Sequence, residues 1–275
     1  MKFDGITIVT DMDGTLLKED KTISEKTLKK IEYFKENGGN FTIATGRLYT
    51  KIEEYFKLLS LNAPVISSNG AVIYDFLKNK VLYLKTMNPK CLTVAKNIME
   101  RFPKIGVEVS SVDCTHFIRE SEMVWKHIRD EDYESDFKDR KIIWEDIMTI
   151  TSPITKVMIC AYLDEIKELE AILPHTYSQY HFYKSDMYYY EMAEFGISKG
   201  TALLKLSEIL GNKNKKIYAV GDNMNDIDMI KAADVGVCVK NAHDKVKNEA
   251  DFILPYTNDE DAVCRLIELI EKGLI

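Results

Sequence analysis

The sequence predicts an α/β protein: a doubly wound parallel sheet with helices on both faces, interrupted by an inserted α+β segment. Three observations carry this. The apolar, β-branched run ITIVT (6–10) ends on Asp11, Asp13 and Gly14. Strand-like and helix-like stretches alternate up to residue 75, and the same alternation resumes from residue 199. Between them lies a stretch in which helices and strands lack that strict order. Strict alternation builds parallel sheets covered by helices.

Ile6, Ile8 and Val9 suit a strand buried on both faces. The next helix has Ser24 as N-cap, Leu28, Ile31 and Phe34 as its apolar stripe, and Gly38-Gly39 as its stop. FTIAT (41–45) reads as a second strand running into Gly46 and a helix whose Leu48, Ile52, Phe56 and Leu59 share one face. PVISSNG (64–70) is a third strand, and AVIY with KVLYL forms a hairpin. Beyond the insertion, Leu203, Leu206 and Leu210 mark a helix over 199–210 that ends at Gly211. KIYAVGD (216–222) is a strand, followed by a helix through Ile227 and Ile230. VGVCV (235–239) and FIL (252–254) are short strands, and Ala262, Leu266 and Ile270 lie on the last helix.

The insertion opens with a helix at Asn88-Pro89, proline being favoured at the first helical position. It continues through the polar stretch RDEDYESDFKDRK (129–141), a strand-like ITKVMICAYL (154–163) and a helix at 164–173. It closes with DMYYYEM (186–192). The expected division is therefore 1–85 with 190–275 as the core and 86–189 as the inserted domain, with short hinges near 84–88 and 188–196. His181 and Tyr188, Tyr189 and Tyr190 could line a pocket there, although a tyrosine-rich strand more often serves packing.

Composition narrows the function classes. With 45% hydrophobic and 29% charged residues the chain reads as globular, neither disordered nor membrane-spanning. Its 37 basic and 44 acidic residues give net −7, and the one dense basic patch is Lys213, Lys215 and Lys216. Nucleic-acid binding wants an extensive basic face, so no nucleic-acid partner is expected. No run approaches the ~20 apolar residues of a membrane span, and no signal pattern opens the chain. The expected address is the cytoplasm, without membrane contact, as a monomer or weak homo-oligomer. Five scattered cysteines without a CxxC read as reduced thiols, mostly core fillers, and none qualifies as a nucleophile by its sequence neighbours.

Ligands bind open α/β sheets at the carboxyl ends of their strands. Those ends carry Asp11 and Asp13, Thr45, Asn69, and then Asp222, Asn225 and Asp226, while Lys199 opens the helix after the insertion. Singly, each has a bland account as a turn, cap or surface residue. A calcium loop needs glycine at its sixth position, whereas Gly14 falls fourth. Together the set puts carboxylates, a hydroxyl, amides and one ammonium on one rim, as a phosphoryl group with a divalent cation requires. Asp13, two residues past Asp11, would face the same side in an extended strand.

DMDGTLL (11–17), TGR (45–47), SKG (198–200) and GDNMND (221–226), in that order, resemble the four signature motifs of the haloacid dehalogenase superfamily of aspartate-nucleophile phosphatases. The insertion, with SSNGA (67–71) and VCVKNA (237–242), resembles the Cof-like branch with its large α/β cap of type IIB. The resemblance implies a Rossmann-like core and an aspartyl-phosphate chemistry. Asp11 would attack phosphorus; Asp13 would protonate the leaving oxygen and then activate water. Asp11, the backbone carbonyl of Asp13 and Asp222 would hold Mg²⁺, with Asp226 supporting the ion from behind them. Thr45, the amides of Met12 and Gly46, Lys199 and Asn225 would grip the phosphoryl oxygens. Arg47 would contact an anionic substrate or the cap, or simply pair with an acid at the helix start, and Lys240 would face solvent. The implied partner is a small phosphorylated metabolite, a sugar phosphate or a phosphorylated cofactor. A phosphotransferase or mutase using the same intermediate, or a phosphate-binding protein without turnover, is the alternative.

Overall fold

The computed structural model describes residues 2–130, 144–211 and 216–275. Most of the polar stretch 129–141, with Lys213 and Lys215, lies outside the described residues. The chain divides into two compact units, Met1–Leu84 with Ile197–Ile275, and Lys85–Gly196.

The first unit opens with β1 (Ile6–Thr10), α1 (Glu25–Glu36), β2 (Asn40–Ile43), α2 (Glu53–Leu59), β3 (Val65–Ser67), β4 (Val72–Asp75) and β5 (Lys80–Leu84). The second unit holds α3 (Lys90–Arg101), β6 (Gly106–Ser111), β7 (Thr115–Arg119), α4 (Glu122–Asp130), β8 (Ile154–Cys160), α5 (Leu163–Thr176), β9 (Tyr180–Asp186) and β10 (Tyr189–Glu194). The chain then completes the first unit with α6 (Lys199–Leu210), β11 (Lys216–Gly221), α7 (Ile227–Ala232), β12 (Val235–Cys238), α8 (Asp244–Glu249), β13 (Phe252–Ile253) and α9 (Ala262–Glu271). Strand β10 belongs to the second unit, so the return to the first falls at Ile197, later than residue 190.

In the first unit the strand order is β13-β12-β11-β1-β2, parallel throughout. β3 extends it through one parallel bridge, Ala44 to Ile66, and β4 and β5 then pair antiparallel. The chain leaves β1 to one side for β2 and returns on the other with β11, so β1 lies at the point where the order reverses. Register fixes the consequence: Thr10 pairs with both Ile43 and Val220, which brings three strand ends to one rim. Val9, Ala44, Ile66 and Ala219 pack against Ala202, Leu203 and Leu206 of α6 and Met229 of α7. Each fully buried side chain of Val or Leu size contributes about 1.5–3 kcal/mol.

Local signals set the helix limits. Ser24 accepts from the Thr27 amide at the start of α1, and α6 runs between Ser198 as cap and Gly211 in the left-handed conformation. The segment after Gly46 is less regular than its periodicity predicts. It begins as a single 3₁₀ turn, Tyr49–Lys51, before α2, though Leu48 and Ile52 are buried as expected.

The second unit is an antiparallel sheet in the order β7-β6-β8-β10-β9. On one face Val107, Val109, Val157 and Ile159 pack with Cys91 and Ile98 of α3 and Ile166 and Leu169 of α5. On the other, Phe117, Met158, Cys160 and Tyr189 pack with Met123, Val124 and Ile128 of α4. Tyr189 and Tyr190 thus enter opposite packed faces, as the period of two in a strand requires. Among the described residues no helix is long and apolar enough to cross a membrane.

Candidate active site

The β1 ladder continues one bond past the strand, the Asp11 amide donating to the Val220 carbonyl at 2.8 Å. This anchors Asp11 beside the end of β11, where Asp222 follows Gly221. α6 then brings Lys199 underneath: its Nζ donates to Asp11 Oδ1 and to Asp226 Oδ1, each at 2.6 Å. Asp226 Oδ2 accepts from the amides of Asp222 and Asn223, both at 3.0 Å. Thr15 Oγ1 donates to Asp222 Oδ1 at 2.6 Å. Asp11 is 6% exposed, Lys199 1% and Asp226 0%. Oxygens of Asp11, Asp222 and Asp226 all lie within 4.8 Å of one another.

Two glycines make this approach possible. Gly14 has φ +78°, and a Cβ there would stand 2.5 Å from Asp222 Oδ2. Gly70 has φ +96°, and a Cβ there would stand 2.1 Å from the Ser198 carbonyl, just before Lys199. Glycine alone takes such a backbone without strain and leaves that space free.

The electrostatics are unbalanced. Burial and the neighbouring Asp226 push the Asp11 carboxyl well above its usual range, against the pull of Lys199. Burial and Asp226 likewise push Asp222 up to about 7. Burial opposes the charge of Lys199, but Asp11 and Asp226 outweigh it and hold the ammonium above its ordinary pKa. Three carboxylates face one ammonium, so the cluster carries excess negative charge. An all-oxygen donor set of this kind fits a hard divalent cation, which would supply the missing positive charge.

Asp13 has partners of its own. The extended conformation ends at Thr10, and residues 12–17 form a turn in which the Met12 carbonyl accepts from Leu16 and Leu17. The extended strand assumed for Asp13 ends at Thr10, so Asp13 sits in this turn rather than in the strand itself. Asp13 instead takes a two-pronged bond from Arg47, Nε to Oδ2 at 2.9 Å and Nη2 to Oδ1 at 2.7 Å, and a third from Lys21 Nζ at 2.7 Å. Burial opposes its ionisation, yet Arg47 and Lys21 outweigh that and hold the carboxyl at about 2.

Thr45 and Gly46 follow β2 in a second set of contacts. Thr45 is buried, its carbonyl accepts from the Asn69 amide at 3.0 Å and its Oγ1 from the Arg47 amide at 3.2 Å. A Cβ at Gly46 would meet Asn69 Oδ1 at 3.1 Å, and the same oxygen accepts from Asn225 Nδ2 at 3.0 Å. Asn69 therefore links Thr45 and Gly46 to Asn225, next to Asp226. Met12 is fully buried and Lys240 exposed. Sequence reasoning did not single out Thr15, Lys21 or Asn241, whose Nδ2 donates to the Gly14 carbonyl at 2.8 Å. The signal for Thr15 was its place right after Gly14, and for Asn241 its place in VCVKNA (237–242); Lys21 had none.

A doubly wound sheet with carboxylates and a lysine at its reversal point places a polar, charged site where open α/β sheets bind ligands, rather than a binding groove of packed apolar residues. The family model described as haloacid dehalogenase-like hydrolase matches residues 8–267, and the chain belongs to that family. It is 29% identical over 270 residues to the 5-amino-6-(5-phospho-D-ribitylamino)uracil phosphatase YitU of Bacillus subtilis, covering 95% of this chain and 96% of that one. It is 26% identical over 271 residues to the pyridoxal phosphate phosphatase YbhA of Escherichia coli, covering 94% and 96%. Among solved structures, a haloacid dehalogenase-like hydrolase from Bacteroides thetaiotaomicron superposes with a TM-score of 0.83 at 26% identity, covering 96% of this chain and 98% of that one.

Proposed function

We propose that the chain is a Mg²⁺-dependent phosphatase of small phosphorylated metabolites, acting through an aspartyl-phosphate on Asp11. The observation that carries this is the meeting, from both ends of the chain, of Asp11, Asp222 and Asp226 oxygens within 4.8 Å of one another, with Lys199 hydrogen-bonded to Asp11 and Asp226. Asp11 and Asp222, with the Asp13 carbonyl, would hold the cation, and Asp226 would orient the set through Lys199 and its two backbone amides. The bound cation supplies positive charge that lets a phosphate dianion approach carboxylates. Asp11 attacks phosphorus, and its bond to Lys199 fixes the carboxylate's direction. Lys199, Thr45, Asn225 and the amides of Met12 and Gly46 receive the transferred oxygens. Asp13, held ionised by Arg47 and Lys21, is ready as the base for the hydrolytic water; to donate a proton to the leaving oxygen it must leave those partners.

The relatives named as 5-amino-6-(5-phospho-D-ribitylamino)uracil and pyridoxal phosphate phosphatases support a substrate class of small phosphorylated metabolites such as phosphorylated cofactors, with sugar phosphates in the same size range. A panel of such esters, scored by release of inorganic phosphate with Mg²⁺ and again with excess EDTA, tests the reading. Turnover that EDTA abolishes and Mg²⁺ restores is expected. Undiminished turnover in EDTA, or a folded Asp11→Asn variant that still releases phosphate at the native rate, would overturn it.

A further inference from the structure

The β6–β7 hairpin gathers a nucleophile set that phosphate hydrolysis does not use. We propose that Cys114, His116 and Glu145 form a thiol-exchange centre at which a small-molecule disulfide transfers one of its halves to Cys114. His116 Nδ1 lies 3.1 Å from both carboxylate oxygens of Glu145. Its Nε2 lies 3.4 Å from Cys114 Sγ, 3.2 Å from Ser111 Oγ and 3.1 Å from Ser152 Oγ. A carboxylate on Nδ1 keeps the ring proton there and leaves Nε2 as the acceptor, the arrangement by which an oriented histidine activates a nucleophile.

Strand pairing builds this set. Ser110 pairs with Thr115 across the hairpin, and Ser111 pairs with Ile154, which brings Ser152 alongside. A bridge between Phe117 and Trp144, with the Glu145 amide donating to the Phe117 carbonyl at 2.8 Å, lays Glu145 against His116. The His116 side chain is 13% exposed, so its ring is held within the unit rather than waving in solvent. Of the three groups facing Nε2, the thiol is intrinsically the most nucleophilic. Cys114 is also exposed, whereas Cys91, Cys160, Cys238 and Cys264 are buried. Ser111 Oγ sits 3.0 Å from Cys114 Sγ and holds the turn by donating to the Cys114 carbonyl at 3.1 Å.

The exchange balances without any further reagent. His116 Nε2 takes the thiol proton as Cys114 Sγ attacks one sulfur of the disulfide. The S–S bond breaks, the Cys114–sulfur bond forms, and the departing sulfur leaves with the electron pair and takes the proton from His116. Excess free thiol runs the same steps backward.

The test uses the full chain and the neutral disulfide dithiodipyridine, following thiopyridone release and mapping the modified peptide by mass spectrometry. One fast equivalent at Cys114 is expected, absent in Cys114→Ser. His116→Gln and Glu145→Gln should each slow it by about tenfold or more, with unchanged urea unfolding midpoints. The native rate should also depend less steeply on pH than that of His116→Gln. A fast phase mapping to another cysteine, or a folded His116→Gln variant reacting at the native rate, would overturn the proposal.

Discussion

Replacing Lys199 by methionine isolates the electrostatic argument. The side chains are similar in volume, so the packing of α6 against the sheet survives while the ammonium disappears. Two carboxylates then lose their shared donor in a site where Asp226 is 0% and Asp11 6% exposed. Asp226 keeps two backbone bonds at Oδ2, so the larger loss falls on Asp11. Breaking a buried charge pair by removing one partner costs about 3–5 kcal/mol. Urea unfolding of Lys199→Met in EDTA should show a loss in that range. Added Mg²⁺ should restore part of it, because the cation replaces some of the missing charge. Lowering the pH should also narrow the gap, since a carboxyl raised by burial destabilises only where it is ionised and is relieved by protonation. Phosphate release should be lost at every pH. A variant as stable as the native chain in EDTA would refute the reasoning, since the ammonium would then not be holding the carboxylates together.

Gly14→Ala should lose about 1–2 kcal/mol for its left-handed backbone alone, plus the displacement of Asp222, whose oxygen lies 2.5 Å from the new Cβ. Urea unfolding reads the first effect, and a raised Mg²⁺ requirement for phosphate release reads the second. Asp13→Asn should slow esters with poor leaving groups by roughly 10²–10⁴-fold. It should slow p-nitrophenyl phosphate less, because that leaving group needs no proton; equal losses on both would remove the acid role. Hydrogen bonds from Lys2, Lys30 and Tyr33 hold Glu271 at about 2, below its ordinary 4.5. A carboxyl depressed on folding stabilises above its unfolded pKa and loses that contribution as pH falls toward the folded value. Glu271→Gln should therefore cost about 0.5–1 kcal/mol at neutral pH, this being a solvent-screened pair. The gap should close between pH 4.5 and 2 in urea titrations, and a gap that persists at pH 2 would contradict it.

Where a feature depends on neighbours in the chain, the residues announce it. Ser24 before Leu28, Ile31 and Phe34 gives α1, and Lys199 through Leu210 gives α6 up to its glycine, because caps and apolar periodicity act within a few residues. The β-branched run before Asp11 and the run before Asp222 mark two strand ends, and ligand sites gather at such ends. In the second unit, β6, β7, β9 and α4 escaped the reading. An antiparallel sheet under helices alternates faces without the long apolar runs of a parallel one.

Sequence by itself determined the α/β class, the strands whose ends carry Asp11, Thr45 and Asp222, and the helix that begins at Lys199. Tertiary structure alone decided what each group touches. Asp13 bonds Arg47 and Lys21 from a turn, because the strand stops at Thr10, and a period-two count cannot register such partners. Glu145 meets His116, and through it Cys114, by a bridge from residue 144 that the separation of 29 positions hides. The reason is physical: propensity and capping act over a few residues, while charge and hydrogen bonding act over a few ångströms, between groups as far apart in the chain as Asp11 and Lys199.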